Sequence, residues 1–230
     1  MKPIKELSLF TGIGCGILGT SLVNTIPVCS VEIDDYCNLV LKQRQEDGVL
    51  PRFPMFKDIK TFNGVVWRDK VDLVSGGFPC QAFSSASHGR IVAEDLSGQM
   101  LRIVGETKTP LVFAENVNKR IINEVCDKLE SMGYHTKGIC LGAKDLGADH
   151  IRTRYWLLAY SDGYGKLLCK EYAKASGSKK LQTCFWESNP REPRVAYGAS
   201  SRVERLRATG NGQVPIVAAT AFHILMLESA

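Results

Sequence analysis

Strand-like and helix-like stretches alternate through the first two thirds of the sequence. The strand-like stretches are short apolar runs, and the stretches between them carry apolar residues at helical spacing. The predicted strands are "KELSLFT", "IPVCSVEID", "DLVSGG", "PLVFAEN" and "YWLLAYS", and the predicted helices are "GILGTSLVNT", "DDYCNLVLKQR" and "INEVCDKLESMGY". This alternation predicts an α/β fold with an open, mostly parallel sheet and helices on both faces. Ligands of such sheets bind beyond the carboxyl ends of the strands.

The length and composition favour one globular α/β domain. The 230 residues are 44% hydrophobic and 23% charged, which is ordinary for a globular chain. The sequence shows no apolar run of the roughly 18 to 20 residues that span a bilayer, and it begins without the apolar stretch of a secretion signal, so we expect a cytoplasmic protein. The eight cysteines include no C-x-x-C pair, so no metal site is expected. The net charge of +5 is compatible with a nucleic-acid partner without requiring one.

A glycine-rich turn, "LSLFTGIGCGILG", follows the first predicted strand. Gly14, Gly16 and Gly19 satisfy the G-x-G-x-x-G pattern, and Glu32 ends the next strand at a suitable distance to hold a ribose. Glycines let the backbone approach a ligand closely, while the next helix offers its N-terminus. The turn alone leaves four uses open: binding of a nicotinamide, a flavin or S-adenosylmethionine, or a purely structural role.

Seven motifs, taken in order, narrow these choices. They are "FTGIGCG" from Phe10, "VEID" from Val31, "KDI" from Lys57, "GGFPCQAFS" from Gly76, "FAENV" from Phe113, "HIRTR" from His150 and "GNGQVP" from Gly210. With them the sequence resembles the cytosine-C5 DNA methyltransferases, and among these the short, phage-like members. The resemblance implies a Rossmann-like, S-adenosylmethionine-dependent methyltransferase fold with a very small target-recognition insertion. Asp149 and His150 depart from the commoner Pro and Gln.

The resemblance assigns the catalytic roles. Cys80 is the matching nucleophile that attacks C6 of cytosine, and Glu115 of "ENV" is the matching acid at N3. Arg154 is expected to contact the cytosine O2, while Arg152 helps to order the site. Because the two arginines alternate with their neighbours, a strand would point both to one face.

The resemblance also assigns the residues that bind S-adenosylmethionine and DNA. For the cofactor these are the turn residues Phe10, Thr11, Gly12, Gly14 and Gly16, then Glu32 at the ribose, Ile33 and Asp58 at the adenine, and Ile59, Pro79, Asn211 and Val214. For double-stranded DNA they are Gln81, Ser84, Ser85, Ser87 and Arg90, in the loop after the nucleophile. We expect a monomer, with target recognition open to help from a partner.

The sequence predicts that the chain has three parts. Residues 1–160 form the cofactor-binding and catalytic domain, 161–195 a small target-recognition insertion, and 196–230 a C-terminal segment that packs back on the catalytic domain. The stretch 161–189 is predicted to have little core of its own; its lysines suit either a solvated loop or a segment that faces nucleic acid. Only about 55 residues separate "R-x-R" from the final glycine turn. Target specificity is therefore expected to be short or relaxed, or to depend on a partner.

Rival functions remain open at this stage. A related enzyme could act on RNA, and a catalytically silent relative could bind DNA or regulate. The presence of Cys80, Glu115 and Arg154 favours an active enzyme. A nicotinamide oxidoreductase would leave "PCQ" and "ENV" without a role.

Overall fold

The computed structural model describes residues 1–79, 96–177 and 199–230. The described strands are β1 (Ile4–Leu9), β2 (Thr25–Val31), β3 (Met55–Phe56), β4 (Leu73–Gly77), β5 (Leu111–Asn116), β6 (Tyr134–Gly142) and β7 (Thr153–Ser161). The helices are α1 (Cys15–Ser21), α2 (Asp35–Glu46), α3 (Ser97–Thr107), α4 (Lys119–Ser131), α5 (Tyr164–Ser176), α6 (Ala199–Asn211) and α7 (Pro215–Glu228). The predicted α/β class is confirmed.

The described strands form one sheet in the order β3-β2-β1-β4-β5-β7-β6. Its first five strands are parallel to one another, and β7 runs antiparallel to both β5 and β6. Every residue of the interior strand β5 is buried, as expected for a strand covered on both faces of the sheet. The carboxyl ends of β1, β2, β4 and β5 therefore meet at one edge, where the predicted motifs lie.

Helices cover both faces of the sheet. On one face α5 and α7 pack over Phe113 and Trp156 of the sheet, and Phe222 of α7 contacts the Phe113 ring. The Phe113 ring stacks on Trp156 at 5.4 Å between centroids. On the other face α3 and α4 contribute a second cluster that includes Ile103 and Val125. Helices on both faces of the sheet agree with the prediction from the alternating pattern. The C-terminal helix α7 packs back on the sheet, as predicted for the C-terminal segment.

The prediction that 161–189 has little core of its own is wrong for α5. Leu168, Cys169 and Tyr172 of this helix are buried, and the Tyr172 hydroxyl hydrogen-bonds His223 Nδ1 of α7 at 2.8 Å. These residues have helical spacing, which the many lysines and glycines of the stretch obscured. Residues 178–198 lie outside the described residues, so the three-part division of the chain stays a prediction.

One stretch of the described residues, Glu204–Glu228, is long and apolar enough by composition to cross a membrane. Its apolar part is α7, in which Phe222, Leu225 and Met226 are fully buried against the sheet and α5. A buried core helix meets the same criterion of length and hydropathy. The stretch is therefore explained by packing inside the fold.

Candidate active site

The glycine-rich turn connects β1 to α1 and contains residues in the left-handed backbone conformation. Phe10, Gly12 and Gly14 have positive φ values of 51°, 55° and 85°. Thr11 fixes the turn from below, because its buried hydroxyl donates to the Ser8 carbonyl at 3.0 Å. The turn thereby leaves the Gly12 N–H directed at the end of β2.

Glu32 receives that N–H. Its two carboxylate oxygens accept hydrogen bonds from the backbone of Gly12 at 2.6 Å and of Asp34 at 2.8 Å. Burial raises the pKa of Glu32, while the Gly12 hydrogen bond and the charge of Arg207 oppose that rise. The carboxylate keeps lone pairs that further O–H donors can use, as a ribose diol would.

A pocket of about 820 Å³ lies at the carboxyl edge of the sheet, within the volume range of small-molecule sites. Of the residues predicted to bind the cofactor, its lining includes Phe10, Thr11, Gly12, Gly16, Glu32, Ile33, Asp58, Ile59, Pro79 and Asn211. The structure thus brings together residues from five separate predicted motifs.

Gly14 and Val214 lie outside this lining. A side chain at Gly14 would meet Leu41 at 2.8 Å, so this glycine allows α1 to approach α2. Val214 is the N-cap of α7 and packs against the core on the α7 face of the sheet. Both residues therefore support the pocket by their place in the fold.

Glu115 lies at the end of β5, on the opposite side of the pocket from Glu32. Its side chain pairs with Arg154 of β7, Nε to Oε1 at 2.9 Å, and accepts a hydrogen bond from Gln213 Nε2 to Oε2 at 3.3 Å. Burial raises the pKa of Glu115; the charge of Arg154, the Gln213 hydrogen bond and the charge of Arg152 oppose that rise. A carboxyl with a raised pKa can hold a proton nearer to neutral pH than an exposed one.

The two predicted arginines have different surroundings. Arg154 lines the pocket, whereas Arg152 precedes β7 and its Nη2 donates to the carbonyls of Gly210 and Gly212, both at 2.6 Å. Arg152 thus ties the start of β7 to the C-terminal glycine turn. Its contacts suit the ordering role that the resemblance gave it.

Pro79 is the last described residue before the predicted nucleophile, and it lines the pocket. The Asn116 side chain donates to the Phe78 carbonyl at 3.0 Å, which holds this end of the chain beside β5. Cys80, together with the predicted DNA contacts Gln81, Ser84, Ser85, Ser87 and Arg90, lies outside the described residues. The roles of these residues remain predictions.

Several polar residues of the pocket were missed by sequence reasoning, and three of them make notable contacts or are deeply buried. Gln213 contacts Glu115, Arg207 of α6 pairs with Asp34, and the buried Glu6 lies deep in the pocket beneath the glycine-rich turn. Gln213 stands inside the quoted "GNGQVP" motif, so its polar side chain, two residues after the predicted Asn211, was a usable signal. Glu6 was a second such signal, because a carboxylate interrupts the apolar strand "IKELSL".

A family model described as C-5 cytosine-specific DNA methylase matches residues 4–204. The chain belongs to this family. Membership in this family explains why the glycine-rich turn, "ENV" and "GNGQVP" line the same pocket. The predicted resemblance is therefore confirmed.

Individual members of the family give a consistent result. The chain is 28% identical to the type II methyltransferase M.CviJI of Paramecium bursaria Chlorella virus IL3A, over 92% of this chain and 56% of that protein. It is 30% identical to M1.HphI of Haemophilus parahaemolyticus, over 70% of this chain and 46% of that one. The chain thus spans about half the length of these curated relatives.

Solved structures support the same fold. A mutant of Spodoptera frugiperda DNMT2 superposes with a TM-score of 0.57 and 21% identity, covering 70% of this chain and 51% of the other. At this identity the likeness concerns the fold alone. It agrees with the mixed sheet described above.

Proposed function

We propose that this chain transfers a methyl group from S-adenosylmethionine to C5 of a cytosine in duplex DNA, through a covalent bond between Cys80 and C6 of the base. The observation that carries the proposal is a single pocket lined by Glu32, Glu115 and Arg154, in a chain of the C-5 cytosine-specific DNA methylase family. One side of this pocket offers acceptors for a ribose, and the other offers a buried acid beside a cation. Both are needed where a cofactor and a base meet.

The residues of the pocket fit S-adenosylmethionine. Glu32 presents a carboxylate held by two backbone N–H groups, which suits the two hydroxyls of a ribose. Ile33 is 72% exposed at the pocket and offers an apolar surface to an adenine ring, with Asp58 nearby for its amino group. When bound, S-adenosylmethionine supplies an electrophilic methyl group on its sulfonium.

Cysteine chemistry overcomes the weak nucleophilicity of cytosine C5. In the proposed reaction the Cys80 thiolate forms a bond from Sγ to C6, which makes C5 enamine-like. C5 then forms the bond to the methyl carbon as the methyl–sulfur bond breaks. A base removes the proton from C5, the C5–C6 double bond forms again, and the C6–Sγ bond breaks to release the thiolate.

Glu115 and Arg154 are proposed to stabilise the negative charge that develops on the cytosine ring. Addition at C6 pushes electrons towards N3 and O2, and a proton from the Glu115 carboxyl to N3 would neutralise them. This proton returns from N3 to Glu115 when the thiolate leaves C6. The burial that raises the pKa of Glu115 favours the protonated form that this step requires. Arg154 is proposed to leave Glu115 for the cytosine O2 as the base enters.

Duplex DNA is the proposed substrate because the named type II relatives belong to the DNA methylase family. C6 of a stacked cytosine is inaccessible, so the base must leave the helix at a cost of a few kcal/mol. We assign the loop after Cys80, with Gln81, Ser84, Ser85, Ser87 and Arg90, to the DNA near the flipped base. Target recognition is assigned to residues 161–195 or to a partner protein.

Bisulfite sequencing of duplex DNA incubated with the purified protein and S-adenosylmethionine tests this function. We expect protected cytosines in a short sequence context, and none when the cofactor is omitted. Competition between duplex DNA and tRNA for labelled methyl groups separates the two substrate classes. Absence of transfer to either nucleic acid would favour a catalytically silent relative, and transfer to tRNA alone would overturn the DNA assignment.

A further inference from the structure

The Gln213 side chain lies between the catalytic end of the pocket and the glycine-rich turn. Its Nε2 donates to Glu115 Oε2 at 3.3 Å, while Arg154 Nε holds the other oxygen, Oε1, at 2.9 Å. Each carboxylate oxygen of Glu115 therefore has its own partner. We propose that Gln213 is a positioning residue for Glu115 that fixes the orientation of this carboxyl and its proton affinity; the inference rests on the proposed function.

Two glycines provide the space that the Gln213 amide occupies. A Cβ at Gly77 would come within 2.6 Å of Glu115 Oε2 and 3.0 Å of Gln213 Nε2. A Cβ at Gly16 would come within 2.7 Å of Gln213 Oε1. The amide thus fills the gap between the end of β4 and the start of α1, and it contacts both halves of the pocket.

The backbone around Gln213 is held from both sides. Arg152 Nη2 donates to the carbonyl of Gly212, and the next residue, Val214, caps α7. Because the turn is anchored, the amide cannot follow the Glu115 carboxyl if that group moves. Arg154, by contrast, is a side-chain partner that the proposed reaction draws towards the base.

The proton affinity of Glu115 should respond to this contact. An N–H donor favours the ionised form of a carboxyl, so Gln213 lowers the pKa that burial has raised, together with the charges of Arg154 and Arg152. Loss of the amide should therefore raise the pKa further. Since the reaction uses protonated Glu115, the basic limb of the rate profile should move to higher pH.

Gln213→Met tests the proposal, because it keeps the length of the side chain and removes its polar atoms. The matched control is Gln43→Met, since Gln43 also donates to a carboxylate, that of Asp47, but lies exposed on α2. We expect kcat of Gln213→Met to fall about tenfold, because a less fixed acid spends less time in the productive geometry. KM for DNA should stay near the wild-type value, and the basic limb should move to higher pH, with no change in Gln43→Met.

A second measurement keeps the proposal separate from the proposed function. Carboxyl ¹³C NMR can follow the titration of Glu115 without turnover, with the signal assigned through Glu115→Gln. We expect its midpoint at higher pH in Gln213→Met than in the wild type. An unchanged midpoint would overturn the role of Gln213. If the wild type transfers no methyl group, the proposed function is overturned, but the titration still tests whether Gln213 lowers the pKa of Glu115.

Discussion

Glu32 and Glu115 are both buried carboxyls, but their partners differ in kind. Glu32 is held by backbone N–H groups at 2.6 and 2.8 Å, which are fixed by the turn after β1 and the start of α2. Glu115 is held by the side chains of Arg154 and Gln213. Fixed N–H donors stabilise the ionised form of Glu32, which can accept ligand hydroxyls. In the proposed reaction Arg154 leaves Glu115, so the protonation of Glu115 can change when a base enters.

Glu32→Gln should weaken binding of S-adenosylmethionine by about tenfold to a hundredfold. The amide presents an NH₂ group to one backbone N–H, and the loss of a hydrogen bond to a charged group costs about 1.5–3 kcal/mol. Calorimetry with the cofactor alone measures the affinity. Glu46→Gln, at an exposed position on α2, is the control. Equal affinities in both variants would move the cofactor site away from β2.

Cys80→Ala should abolish methyl transfer, because it removes the proposed nucleophile. DNA containing 5-fluorocytosine should trap the wild type covalently, since fluorine at C5 prevents the final elimination. Cys140→Ala is the control, because Cys140 is an exposed thiol on β6. Gel electrophoresis should show the DNA adduct with wild type and Cys140→Ala only. Methylation by Cys80→Ala would refute the mechanism.

At the scale of elements, α5 has two distinct sides. Its buried side packs Cys169 and Tyr172 against α7. Lys166, Lys170 and Lys174 are exposed and repeat every four residues, so they form a basic line along the helix. The helix is thus a core element that also presents a positive surface.

Replacing Lys166, Lys170 and Lys174 together by Gln should weaken DNA binding and flatten its salt dependence. Three lost phosphate contacts would reduce the slope of log K against log salt by about 2.7. The methylated sequence should not change, because phosphate contacts carry no sequence information directly. The control replaces three other exposed lysines, Lys42, Lys128 and Lys137, with the same charge change. Fluorescence anisotropy across salt concentrations distinguishes them; equal losses would indicate only a net-charge effect.

At the scale of the whole molecule, one buried carboxyl joins several elements. Glu6 of β1 is fully buried and accepts hydrogen bonds from Thr20 of α1, Thr25 of β2 and Ser75 of β4. Burial raises its pKa, and the three hydroxyl donors oppose that rise. The network secures the sheet beneath the pocket, but its stabilising effect depends on pH.

Glu6→Gln should change the pH dependence of stability. Because the folded pKa is raised above the ordinary value of 4.5, the Glu6 contribution is fully present below that pH and is lost as pH rises through the folded pKa. The free energy of unfolding of wild type minus Glu6→Gln should therefore fall as pH rises above 4.5. Urea unfolding across this range measures it, with the exposed Glu124→Gln as control. A constant difference would mean that Glu6 titrates alike in both states.

Much of the fold could be predicted from local sequence patterns. "PLVFAEN" became the fully buried β5, and "INEVCDKLESMGY" contains most of α4, with Ile122, Val125 and Leu129 buried. These patterns succeed because a strand buried on both faces needs an apolar run, and a helix with one buried face needs apolar residues at helical spacing. Strand β6 was missed, because its edge position leaves most of its residues exposed or half-buried and removes the apolar pattern.

The sequence by itself determined the class of the fold, the family and most of the motifs at the pocket, because each of these depends on residues close together in the chain. Only the tertiary structure decided that Gln213 would contact Glu115, 98 residues earlier, and that Arg152 would hold the carbonyls of Gly210 and Gly212. It also decided that α5 would join the core. Such contacts depend on which strands and helices become neighbours, and the spacing of residues within one element does not determine this.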